Sequence, residues 1–218
     1  MRSIGVAPVK TDELIIILSK DGLPRVRLWR TLVLGAAVGT LVAATLFFAA
    51  VGFRPDIAEA VQTLRFLFKF VVTISLAATA VLVSFRLSRP DEDFRSSTAL
   101  LVAPILLACA VSIELLVLPS GQWISKLIGH NARICLTLIS LLSIGPLICF
   151  MIVLRHGAPS NPGWTGATAG LAASGIAATF YASNCNDDSP LFVATWYPIA
   201  ILAVSAAGYL IGRRALKW

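Results

Sequence analysis

Residues 31–53 read TLVLGAAVGTLVAATLFFAAVGF. No charge interrupts this run, and it exceeds the ~20 apolar residues a helix needs to cross the hydrocarbon core of a bilayer. It starts too far into the chain, and runs too long, for the ~7–15-residue apolar region of a cleaved signal peptide. It is therefore expected to be a retained membrane span.

Five further runs have the same character: 66–85, 98–118, 134–154, 165–182 and 191–212. The whole chain of 218 residues is 57% hydrophobic and 13% charged. A soluble domain carries about 25% charged residues, so this chain has too little polar surface to cover a water-soluble globule. That excludes an ordinary soluble enzyme, a disordered chain and a disulfide-dense secreted scaffold. Alternation of apolar and polar residues, the mark of a membrane β-barrel, is absent. Helices satisfy their own backbone hydrogen bonds in lipid. The expected fold is an all-α polytopic membrane protein, a six-helix transmembrane bundle over 31–212. A segment of 1–30 precedes it and a basic tail of 213–218 follows.

Within the spans, small residues recur at helical spacing. Gly35, Gly39 and Ala43 mark one face of the first run, and Gly166, Gly170, Ser174, Ala178 and Ala182 one face of the fifth. Such stripes let helix backbones approach closely in lipid, and they read as packing seams. Lys69 sits one turn into the second run, where its stem is expected to snorkel to the interface. Glu114 sits one turn from the end of the third. An ionisable group there is a functional candidate by default, although a partner such as Arg133 or Lys126 would give it a structural role.

The 18 Lys and Arg residues outnumber 11 Asp and Glu, for a net charge of +7. Thirteen of the 18 fall in the N-terminal segment, the loops after the second and fourth runs, and the C-terminus. The positive-inside rule places both termini in the cytoplasm. The excess charge is then a signal of topology and of anionic lipid rather than of nucleic acid.

In the N-terminal segment, Thr11 is a candidate helix cap, Asp12 and Glu13 suit a first turn, and Leu14 to Leu18 form a short apolar run. Five apolar residues cannot span. They call for a partner: the bundle, the membrane surface or another protein.

Four cysteines are present. Cys109 and Cys149 lie within spans and read as small packing residues. Cys135 begins the fourth run and Cys185 follows the fifth, which puts both on the outward face at similar depth. In a periplasm they meet an oxidising compartment. Arg133 is expected to lower the pKa of the Cys135 thiol, and Asp187 and Asp188 to raise that of Cys185. Two readings stand side by side, a reactive pair and two unpaired thiols at helix ends. A metal site of Cys135 and Cys185 with Asp187 and Asp188 is a further option, but the tight ligand spacing of structural zinc is missing.

The series Asp12-Glu13-Leu14, Asn131-Ala132-Arg133-Ile134-Cys135-Leu136, Arg155-His156-Gly157-Ala158-Pro159, the segment from Cys185 to Tyr197 and the closing Gly212-Arg213-Arg214 resembles the NrsF-type family of bacterial inner-membrane anti-sigma factors. The resemblance covers nearly the whole chain and is most specific from Cys185 into the sixth run. It implies a protein without cofactor or catalysis that holds an extracytoplasmic-function sigma factor at the membrane and releases it on heavy-metal or oxidative stress. By position, Cys135 and Cys185 match the family's outward cysteine pair. The N-terminal segment, with Asp12, Glu13, Leu14, Ile17 and Leu18, matches the sigma-contacting part. Family members commonly carry His-Cys-Pro-Glu-Asp-Ser-Pro where this chain has Asn184-Cys185-Asn186-Asp187-Asp188-Ser189-Pro190. Loss of that His favours thiol sensing over metal sensing.

The competing class is a small membrane transporter or channel. Pro104 and Pro146 do interrupt spans, but no broken span pairs with a midplane charge as substrate sites often do. An intramembrane enzyme lacks a constellation of acid, base and nucleophile.

Overall fold

The computed structural model describes residues 25–89 and 94–217. Asp12, Glu13, Leu14, Ile17 and Leu18 lie outside them. Eight α-helices are described: α1 (Arg25–Ala50), α2 (Ile57–Ala60), α3 (Leu64–Leu87), α4 (Val102–Val117), α5 (Trp123–Ile128), α6 (Ala132–Leu154), α7 (Pro162–Ala182) and α8 (Pro190–Ala215). Short 3-10 turns lead into α4 and α5. No strand occurs among the described residues.

Five helices are long and apolar enough to cross a membrane: α1 from Leu28, α3, the 98–117 stretch ending in α4, α6 and α8. The expectation of a sixth span falls on α7, which does not reach that apolarity. The reason is compositional. Its 21 residues are mostly Gly, Ala, Ser and Thr, which add little hydrophobicity per residue. At ~1.5 Å rise per residue the helix still measures about 30 Å, the thickness of the hydrocarbon core.

Its lack of apolar bulk reflects its place at the centre of the bundle, packed against α8, α3, α6 and α1. Sixteen of the 21 α7 residues are buried. The small-residue stripe is what permits this. Gly166 lies against the carbonyl oxygen of Gly208, and a Cβ there would also meet the Gly212 Cα at 2.8 Å; a Cβ on Gly170 would meet the Ser205 Cα at 2.7 Å. Two backbones in near contact gain dispersion along their whole crossing. Gly35 and Gly39 do the same for α1, against Val153 and Pro146 of α6. Both stripes are packing seams.

The chain has two distinct ends. At one, α1 begins and α8 ends, and the connections after α3 and α6 meet: the Ala158 amide donates to the Ser88 carbonyl at 3.1 Å, and the Thr165 hydroxyl to the Leu87 carbonyl at 3.2 Å. Arg89 stacks on Phe85 at 4.2 Å and Arg213 on Tyr209 at 5.7 Å. This is the Lys- and Arg-rich end of the sequence. At the other end lie the connections 51–63, 118–131 and 183–189. The first two contain the short helices α2 and α5. In α5, Ile124 and Ile128 are exposed, while Trp123 hands its indole N–H to the Leu118 carbonyl and Trp196 of α8 donates to the Leu127 carbonyl. Apolar faces and tethered tryptophans suit a membrane–water boundary.

Candidate functional site

Cys135 opens α6 and Cys185 follows α7, so each is delivered to the second end by a helix terminus. Both are free thiols, and both are buried, Cys135 at 0% and Cys185 at 1% exposure. The structure brings them into one cluster with Tyr181, Tyr197, Phe192 and Ile139. The Tyr181 hydroxyl interacts with both thiols and also donates to the Asn131 carbonyl at 3.4 Å. The Tyr197 hydroxyl is buried in the same cluster without a hydrogen-bond partner.

Burial raises the Cys185 thiol pKa above its ordinary value, with Lys69 pulling the other way. Asp187 adds a smaller upward push. The upward effect expected of the aspartates is present for Asp187, with desolvation the larger cause. Arg133 is exposed, and burial rather than that charge sets the surroundings of Cys135. Cys109, expected to pack within its span, is exposed on α4.

A cluster of charge closes over Cys185. Its carbonyl oxygen accepts from Lys69 Nζ at 2.9 Å and from Arg54 Nη1 at 3.3 Å. Three residues on, Asp188 takes the same two cations: Oδ1 lies 2.6 Å from Lys69 Nζ and Oδ2 2.9 Å from Arg54 Nη1. Arg54 also forms a two-bond fork with Asp56, both bonds at 2.6 Å, which holds the Asp56 carboxyl below its usual range. The Phe66 ring lies beneath both cations, 5.8 Å from the Arg54 guanidinium and 5.2 Å from Lys69 Nζ.

Lys69 does not snorkel. It is 1% exposed and turns inward to Asp188. An ammonium removed from water is tolerated when paired and hydrogen-bonded, and Lys69 has both. Arg54 thus joins a local partner two residues away, Asp56, to one 134 residues away, Asp188.

The remaining residues of the 183–191 segment are tied down in turn. Asn184 donates to the Gly52 carbonyl at 3.1 Å. Asp187 Oδ2 accepts from the His130 and Asn131 amides at 3.0 and 2.9 Å and from the Asn131 side chain at 3.1 Å. Glu114 Oε2 accepts from the Ser189 hydroxyl at 2.8 Å and the Leu191 amide at 3.0 Å. Arg65 is the cation near Glu114, at 3.7 Å; Arg133 and Lys126, the partners expected, are not its ion-pair partners. This one segment thus gathers the ends of α1, α3, α4 and α6.

Chemically, the site offers two thiols in an apolar pocket capped by ion pairs. Among the described residues, no group of three or more His, Cys, Asp and Glu side chains is placed to hold a metal ion.

Five helices long and apolar enough to cross a membrane, with the start of α1 and the end of α8 at one end and a buried thiol cluster at the other, are compatible with a membrane protein whose polar chemistry sits at its ends. Residues 18–218 match the family model described as negative regulator of sigma F, NrsF. The chain is 32% identical to the anti-sigma-F factor NrsF of Caulobacter vibrioides, over 96% of this chain and 100% of that protein. It is 30% identical to a probable anti-sigma-F factor NrsF of Azospira oryzae, over 84% of this chain and 85% of the other. No solved structure matches it. The chain belongs to the NrsF family of negative regulators of sigma F, a regulatory rather than catalytic family.

Proposed function

We propose that this chain is a bacterial inner-membrane anti-sigma factor that holds an extracytoplasmic-function sigma factor and releases it on heavy-metal or oxidative stress. The observation that carries this reading is the match to negative regulators of sigma F along nearly the full chain. In the proposed topology α7 is a sixth span enclosed by the others, and both termini face the cytoplasm. The excess of Lys and Arg at the end that bears the termini supports that orientation.

Cys135 and Cys185 are the sensing residues in this account. Their burial in one cluster supports joint action. An oxidant such as chromate takes two electrons as the thiols release two protons and one S–S bond forms. A soft divalent cation such as cadmium displaces the same two protons and binds both thiolates. Either event favours one arrangement of α6 and α7 over another, and the shift is bounded by the free-energy difference it supplies. A disulfide worth ~2–4 kcal/mol moves a balanced equilibrium by roughly 30- to 1,000-fold. The cytoplasmic segment carrying Asp12, Glu13, Leu14, Ile17 and Leu18 is the proposed grip on the sigma factor.

The test is co-purification of the sigma factor with the full-length chain from membranes. Recovery with the native chain, and loss when Leu14, Ile17 and Leu18 are changed to Ser, supports the assignment. Equal recovery from both moves the grip elsewhere. No recovery from the native chain removes the anti-sigma reading.

A further inference from the structure

The two thiols assigned to sensing are sealed. At 0% and 1% exposure, neither can meet an oxidant, a cation or an alkylating agent unless part of the protein moves. Cys185 is held in its apolar cluster by the 183–189 segment that carries it, and the shortest ties on that segment to α3 and to the connection after α1 are ionic. Lys69 and Arg54 each bind it twice, once at the Cys185 carbonyl and once at Asp188. The two cations come from different elements, α3 and the connection after α1, so the segment is clamped from two sides.

We propose that Lys69, Arg54 and Asp188 are positioning residues that form a latch over the thiol pair, and that opening this latch controls reagent access to Cys185 and Cys135. The inference rests on the sensing role proposed above for its biological consequence, but not for its test.

Lys69 is the critical member. Arg54 keeps Asp56 as an alternative partner, whereas Asp188 is the one carboxylate paired with Lys69 among the described residues. Removing Lys69 takes away two of the four bonds that hold the segment and leaves Asp188 with Arg54 as its one cation among the described residues, which weakens the closed state relative to an open state where water hydrates the carboxylate. Local openings of this kind carry their own free energy, below that of global unfolding. Loss of Lys69 therefore raises the open population without unfolding the bundle.

The experiment measures alkylation by a small maleimide of the full chain in native membrane vesicles, with every background carrying Gln62→Cys as an exposed reference. Cysteines 109 and 149 are changed to Ala. In the otherwise native chain, Cys185 is expected to react far more slowly than position 62. Lys69→Met is expected to raise the Cys185 rate by roughly tenfold or more, with the position-62 rate unchanged. Lys69→Arg, which keeps the charge, is expected to retain protection. A structural role alone would not separate Met from Arg in this way. Asp188→Asn, which preserves shape, gives an independent route and the same expected rise should Lys69→Met fail to accumulate. Equal protection in Lys69→Met or Asp188→Asn and the native chain overturns the latch. Because no sigma factor enters the assay, its failure is distinguishable from failure of the anti-sigma reading.

Discussion

Glu114 and Ser189 meet at the thiol-bearing end of the bundle, 75 residues apart in sequence, with the Ser189 hydroxyl donating to Glu114 Oε2 at 2.8 Å. The same oxygen accepts the Leu191 amide at 3.0 Å. A carboxylate from α4 thus serves the N-terminus of α8, where unpaired backbone N–H groups and the helix dipole favour negative charge. Ser189 itself makes no side-chain bond to the helix it precedes; Glu114 supplies the cap from outside.

Replacing Glu114 by Leu therefore strands a buried hydroxyl and a helix N–H. Each such group costs about 1–3 kcal/mol when left unsatisfied. At roughly 2–4 °C per kcal/mol for a chain of this size, thermal unfolding in detergent should fall by several degrees. Glu114→Gln, which keeps a carbonyl oxygen, should fall less. Equal melting of all three would show that the cap does not operate.

Gly129 ends α5 at φ +59°, and a Cβ there would meet the Phe192 ring and, at 2.9 Å, Asp187 Oδ2. The position needs both the left-handed backbone and the missing side chain. It turns the chain so that the next two amides face Asp187. Gly129→Ala is expected to destabilise by more than ~1 kcal/mol and to speed hydrogen exchange at His130 and Asn131. Native-like protection at both amides would contradict this.

The α7–α8 seam has no room for side chains. Gly208→Val places branched carbons against the Gly166 carbonyl. Its expected result is loss of folded protein from the membrane, seen as rapid proteolysis. A Val at Gly121, where a Cβ meets nothing, should be tolerated. Normal accumulation of Gly208→Val would show that the seam is not tight.

Burial raises the Cys185 thiol pKa. The sign follows from linkage: the folded state holds the proton more tightly than the unfolded state. This contribution to stability is full below the unfolded thiol value of about 8.5, and it is lost as pH rises through the higher folded value. Stability should therefore decline on the alkaline side, and Cys185→Ser should flatten that decline. Thermal melts from neutral to alkaline pH give the comparison. An unchanged alkaline slope in Cys185→Ser would assign the decline to other groups.

The apolar runs were legible because a bilayer demands about 20 apolar residues in a row, and α1, α3, α6 and α8 stand within a few residues of the runs read. The small-residue stripes were legible for the same kind of reason, since Gly and Ala at four-residue spacing have few other uses in lipid. The tie between Lys69 and Asp188 was not legible, because their pairing depends on how α3 packs beside α7. One signal did point to it. Lys69 has no carboxylate on its own helix, and a buried ammonium must find one somewhere. Glu114 misled for a related reason. A search for cations overlooks a hydroxyl and an amide, and those are what its Oε2 binds. The joint burial of Cys135 and Cys185 likewise needed the packing of Tyr181 and Phe192 around them.

The most direct test of the whole account is a sigma-dependent reporter in cells carrying the native chain or the Cys135→Ser, Cys185→Ser chain, with and without dichromate or cadmium. The account predicts a silent reporter in both untreated strains, strong induction of the native strain by either reagent, and none in the double variant. Equal induction in the two strains would contradict it.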